Sequence, residues 1–180
     1  MTDTLLFMNE YQRFTDKTAQ YPMGMVYVTL GMIGELGELR DKMNMEPASK
    51  EEEEDLLHEA GDVFWYIARA CQEMDFSLHY VISAAQGAGD DGVTKPPSMM
   101  PIENKWSEIC RLAENVKKFV RDGKDVSPDS AFPALVSATK MVLSLCQISN
   151  IHYLDAMSAN MKKLSSRLER GVIKGSGDRR

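Results

Sequence analysis

The chain is 180 residues long, 43% hydrophobic and 27% charged, which is enough apolar material to bury the core of one globular domain. A formal net charge of −6 and an isoelectric point near 5.1 exclude a general binder of nucleic-acid backbone, which needs a basic face, and leave small anionic ligands to a local basic patch. There is no apolar run of about 18 residues, and Asp3, Asn9 and Glu10 interrupt any signal-peptide pattern, so a cytoplasmic protein without membrane contact is expected.

Helical periodicity runs through almost the whole sequence and predicts an all-α fold. A first helix is expected over residues 4–19, ended before Tyr21-Pro22 because a residue preceding proline is pushed out of helical space. A second, over residues 24–44, carries the apolar stripe Met32, Leu36, Leu39 and Met43. Glu46-Pro47-Ala48-Ser49 breaks it, and Ser49 caps a third helix reaching about residue 73. The acids at residues 51–54 complement that helix's dipole and read as a solvated first turn. A short fourth helix spans residues 77–86. The glycine-, aspartate- and proline-rich stretch from residue 87 to about 103 reads as a linker. Three further helices follow near residues 104–121, 131–149 and 153–170, then a basic, glycine-bearing tail over residues 171–180.

The two halves look related. A shift of 75 positions lays Cys71-Gln72 on Cys146-Gln147 and Ser83-Ala84 on Ser158-Ala159, and a shift of 79 lays Glu35 on Glu114. The acids do not repeat, because Glu38 falls on Lys117 and Asp62 on Ser137. The simplest account is a degenerate tandem duplication, with residues 1–86 as one repeat and residues 104–170 as the other. Cys71, Cys110 and Cys146 lack CxxC spacing and lie in apolar helical stretches, which predicts buried, reduced thiols.

Two acidic pairs carry the chemistry: Glu35 and Glu38 in the second helix, Glu59 and Asp62 in the third. Residues three apart share a helix face, so two such pairs on facing helices build a cage of oxygens suited to a hard divalent cation. Two carboxylates about 6 Å apart at an effective dielectric near 20 repel by roughly 3 kcal/mol, so four gathered without a cation would be costly. An isolated ExxE is ordinarily a solvated face. Here Glu59 falls within the stripe of Leu56, Val63, Tyr66 and Ala70, and Glu35 lies beside Leu39, which draws both inward. The third helix offers no cation on that face before Arg69, which points to a metal as partner. Gly34, Gly37 and Gly61 each sacrifice about 1 kcal/mol of helix propensity, as expected if helices approach closely around the acids.

Lys163, Arg167 and Arg170 recur at helical spacing in the last helix, and Lys174 and Arg179 follow in the tail, a basic set able to face an anion. Other candidates are weaker. Trp65 and Tyr66 could stack a base but more naturally fill a core. His58, His79 and His152 lack the spacing of a zinc or di-iron site. The 13 methionines fit an adaptable helical core, and no GxxxxGK[ST] phosphate loop occurs.

The sequence resembles the all-α NTP pyrophosphohydrolases of the MazG-like superfamily, which also contains the dimeric dUTPases. The resemblance rests on Glu35-Leu36-Gly37-Glu38, on Glu59-Ala60-Gly61-Asp62 running into Val63-Phe64-Trp65-Tyr66, on the Tyr21-Pro22 entry, and on Asn160-Met161-Lys162-Lys163-Leu164-Ser165-Ser166-Arg167 with the residues after it. It implies Mg2+, with Mn2+ as a substitute, held by Glu35, Glu38, Glu59 and Asp62. It also implies hydrolysis of a nucleoside triphosphate between its α and β phosphates, with Asn160, Lys163, Arg167, Arg170 and Lys174 contacting the substrate. Glu35 is the expected general base, the other three acids being ligands. Compact relatives keep the acidic helices and the KLxxR segment in one repeat, whereas here the first half would hold the metal cage and the second would supply the basic segment. A chain with two repeats builds internally what single-repeat relatives build between chains, and leaves room for a further homodimer. The alternative is a non-catalytic helical scaffold that inherited the fold and binds nucleotide or protein; four intact facing acids favour the enzyme.

Overall fold

The computed structural model describes residues 2–43, 49–87 and 102–173, and these are all-α: seven helices and no strand. They are α1 (Thr2–Thr18), α2 (Met25–Met43), α3 (Lys50–Glu73), α4 (Leu78–Gln86), α5 (Ile102–Asp122), α6 (Pro128–Ile148) and α7 (Tyr153–Glu169). Most of the expected linker, at residues 88–101, and the tail from Lys174 onward lie outside the described residues.

Local chemistry sets the helix ends. The Ser49 hydroxyl accepts from the Glu52 amide at 3.2 Å and opens α3, and Ser77 caps α4 in the same way. Gly87 closes α4 in the left-handed region, at φ 73°. The sixth helix begins at Pro128, three residues before its expected start. Ser127 caps it by accepting from the Asp129 amide, and Pro128 suits the first turn, where no amide donor is required.

The middle of the molecule is two long helices, α3 and α6, packed against each other. Helix α3 is flanked by α1, α2 and α7, and α6 by α4 and α5. Ala60, Val63, Ile67 and Cys71 are buried on α3, and the positions 75 further on, Leu135, Ala138, Val142 and Cys146, are buried on α6. The turns leaving the two helices are also alike. Asp75 and Asn150 both take positive φ, 57° and 54°, and the Phe76 and Ile151 amides each donate 2.8 Å back to the carbonyls of Cys71 and Cys146. By length and composition α6 could cross a membrane, yet 56% of its most apolar window is buried against the other helices.

Met32, Leu36 and Leu39 are buried as their spacing requires; nothing is described of the Met43 side chain. Cys71 and Cys146 are buried thiols, and burial pushes Cys146 up to about 12. Cys110 departs from expectation: it is exposed, because α5 turns Ile109 and Leu112 inward and leaves the residue between them on its outer side.

Candidate metal centre

Helices α2 and α3 pack side by side and bring three of the four expected acids together. One carboxylate oxygen each from Glu35, Glu38 and Glu59 lies within 4.8 Å of the others. Glu59 is 4% exposed, Glu35 half-buried and Glu38 exposed, so the cluster is closed on the core side and open on the other. Its donors are all carboxylate oxygens, the chemistry of a hard-cation site. Burial first, and then the charges of Asp62, Glu38 and Glu59, push the Glu35 carboxyl up to about 8, against a smaller opposing pull from Lys163.

Asp62 stands beside this trio, close enough to be the strongest charge acting on Glu35, but its oxygens are engaged from α7. Asn160 Nδ2 donates to Asp62 Oδ1 at 2.7 Å, and the Lys163 ammonium pairs with Oδ2. Asn160 is fully buried, and its Oδ1 accepts from the Tyr11 hydroxyl at 3.0 Å. It therefore holds Asp62 in place rather than facing a phosphate, because both ends of its amide are used inside the fold.

The glycines divide differently from expectation. A Cβ on Gly61 would lie 2.6 Å from the Ala156 carbonyl oxygen and 2.9 Å from Asn160 Cβ, so this glycine allows α7 to approach α3. Gly34 and Gly37 meet nothing within 4 Å, and the close approach on α2 is at Gly31, where a Cβ would sit 2.1 Å from the Tyr66 ring. Helical spacing places a glycine on a face but does not say what stands opposite.

A basic wall was expected on α7, and a metal was inferred because α3 offered no cation for Glu59. The cation comes from α2: Lys42 Nζ donates to Glu59 Oε1 at 2.5 Å. The signal was present in the sequence, since positions 35, 38 and 42 follow helical spacing and share one face. Beside this pair opens a cleft of about 710 Å³ lined by Lys42, Glu59, Lys163, Arg167 and Arg170. Ser166, His58, Glu51, Glu54 and Asp55 complete its wall, and His58 Nδ1 is buried with no hydrogen-bond partner among the described residues. Arg167 is 5% exposed, whereas Arg170 is on the surface. Lys174 lies outside the described residues.

The aromatic candidates are structural. Trp65 is 9% exposed and its Nε1 donates to Thr18 Oγ1 at 2.8 Å, tying α3 to α1. Tyr66 lies over Gly31; burial first, and then its hydrogen bond with Tyr27, hold its phenol above the ordinary range.

No family model matches the chain, and no solved structure matches it. Over 101 residues it is 34% identical to the "Gene 37 protein" of Mycobacterium phage L5, an alignment covering 46% of this chain and 89% of that protein. That name describes no activity.

Proposed function

The chain belongs to the family of the phage L5 Gene 37 protein, and we propose that it is a Mg2+-dependent nucleoside triphosphate pyrophosphohydrolase, with a MazG-like fold, that cleaves between the α and β phosphates. The observation that carries this reading is the contact between an all-carboxylate trio and a cleft rimmed by Lys42, Lys163, Arg167 and Arg170. A polyphosphate needs both, cations along its oxygens and a hard metal at the scissile bond.

Glu35, Glu38 and Glu59, with Asp62 beside them, are the residues that would hold magnesium, which when bound would supply positive charge against the phosphates. Glu35 is the residue to orient and deprotonate the attacking water, since it stands between the buried Glu59 and the exposed Glu38 and borders both the cluster and Asp62. Lys163, Arg167 and Arg170 bind the triphosphate, and Asn160 keeps Asp62 turned toward the cluster.

Tandem duplication is supported by the matching turns at Asp75 and Asn150 and by the buried positions 75 residues apart on α3 and α6. In the second half Glu114 and Lys117 pair with each other at 2.5 Å on an exposed face, where the first half has Glu35 and Glu38. Metal chemistry is thus assigned to the first half alone.

The test is incubation of the full chain with each common NTP and dNTP plus Mg2+, separating pyrophosphate from orthophosphate. Pyrophosphate with the nucleoside monophosphate is expected. Orthophosphate, or no turnover with any nucleotide, would shift the assignment to a non-catalytic helical scaffold.

A further inference from the structure

Lys42 stands where the acidic cluster and the basic cleft meet. Its ammonium donates to Glu59, an oxygen donor of the cluster, and the same side chain lines the cleft with Lys163, Arg167 and Arg170. The pair is unequal. The Glu59 side chain is 5% exposed and fixed on a core helix, whereas the Lys42 side chain is 36% exposed at the end of a four-carbon stem. If the contact opens, the lysine moves and the glutamate stays.

A divalent cation bound to Glu59 repels an ammonium 2.5 Å from the same carboxylate, so the two compete for that group. A displaced Lys42 already borders the cleft, where a polyanion supplies new acceptors. Resting on the proposed metal centre, we infer that Lys42 couples the two ligands: it opposes metal binding at Glu59 until substrate phosphates draw its ammonium into the cleft. It is a positioning and binding residue, additional to the basic set on α7. By reciprocity, metal and polyphosphate then strengthen one another's binding.

Two titrations of the full chain test this at pH 8.5. In the first, Mn2+ binding without nucleotide is measured by calorimetry for the wild type, Lys42→Met and Lys42→Arg. In the second, inorganic tripolyphosphate binding is measured with and without saturating Mg2+. Lys42→Met is expected to bind Mn2+ about tenfold more tightly and tripolyphosphate about tenfold more weakly, and to lose the part of the metal-dependent gain in tripolyphosphate affinity that runs through Lys42, leaving the direct attraction of metal for phosphate. Lys42→Arg, which keeps the charge, is expected to stay near wild type in both, and its folding is checked in parallel by circular dichroism. Unchanged Mn2+ and tripolyphosphate affinities in folded Lys42→Met would overturn the coupling role while leaving the metal centre intact. If Lys42→Met does not fold, Lys42→Gln takes its place under the same criteria. A wild type that binds no Mn2+ would instead overturn the metal centre itself, and the coupling with it.

Discussion

Asn160 and Asp62, 98 residues apart in sequence, are joined by a 2.7 Å hydrogen bond, and the Tyr11 hydroxyl donates 3.0 Å to the other end of the same amide. A single chain of hydrogen bonds, buried at its Tyr11 end, thus crosses α1, α7 and α3 and fixes the orientation of an acid beside the candidate metal centre. Partners of this kind ordinarily change metal affinity by about 10 to 100-fold.

Tyr11→Phe tests the outer link. It removes a hydroxyl that also reaches the Gly61 carbonyl at 3.3 Å, and frees the Asn160 amide to turn. The expected outcome is a loss of about 1 kcal/mol in stability together with about tenfold weaker Mn2+ binding. Denaturant titration and calorimetry on the same sample separate the two effects. A loss of stability with unchanged metal affinity would make the tyrosine structural only.

Glu35→Gln separates ligand from base. The amide keeps one oxygen donor and the side-chain volume but cannot take a proton. Turnover is expected to fall by about 10² to 10⁴-fold while Mn2+ still binds. Near-normal kcat in a metal-loaded variant would remove Glu35 from the general-base role.

Local chemistry made most of the architecture legible. Ser49 and Ser77 announced helix starts, the Met32, Leu36 and Leu39 stripe announced a buried face, and Glu59 within an apolar stripe announced a buried acid. What a helix faces is harder to read, because it depends on partners far along the chain. Lys42 shares a face with Glu35 and Glu38, yet its pairing with Glu59 required knowing that α2 lies against α3. Tyr11 and Asn160 are separated by 149 positions and belong to no common motif. Asn160 matched a basic, polar helix end in sequence, and only packing turned it inward.

The raised Glu35 carboxyl has a stability consequence in metal-free protein. Its folded value of about 8 exceeds the ordinary 4.5, so between those pH values the folded state holds a proton that the unfolded state has released. Stability from this group is therefore present below about 4.5, declines as pH rises through the window, and is gone above about 8. In EDTA the melting temperature should fall from pH 5.5 to pH 8.5 more steeply for the wild type than for Glu35→Gln, and Mg2+ should restore more of it at the higher pH. Equal slopes for the two proteins would contradict the raised value.

The glycines give a prediction of opposite signs on two faces of one helix pair. At Gly34 and Gly37 a methyl group meets open space, so alanine there gains helix propensity and should stabilise the fold by about 0.5–1 kcal/mol at each position. At Gly61 the same methyl would press on the Ala156 carbonyl oxygen at 2.6 Å, a backbone atom that cannot rotate away, and on Asn160 Cβ. Gly61→Ala should therefore cost about 1–3 kcal/mol through overpacking. Because α7 would be pushed off α3, the Asn160 bond to Asp62 would lengthen, and Mn2+ affinity should fall with stability. Thermal melts and Mn2+ titrations of the three variants check both signs. Destabilisation by Gly34→Ala or Gly37→Ala would mean that α2 presents those glycines to something that packs closely on its outer face. A neutral Gly61→Ala would mean that the α3–α7 seam is looser than 2.6 Å implies.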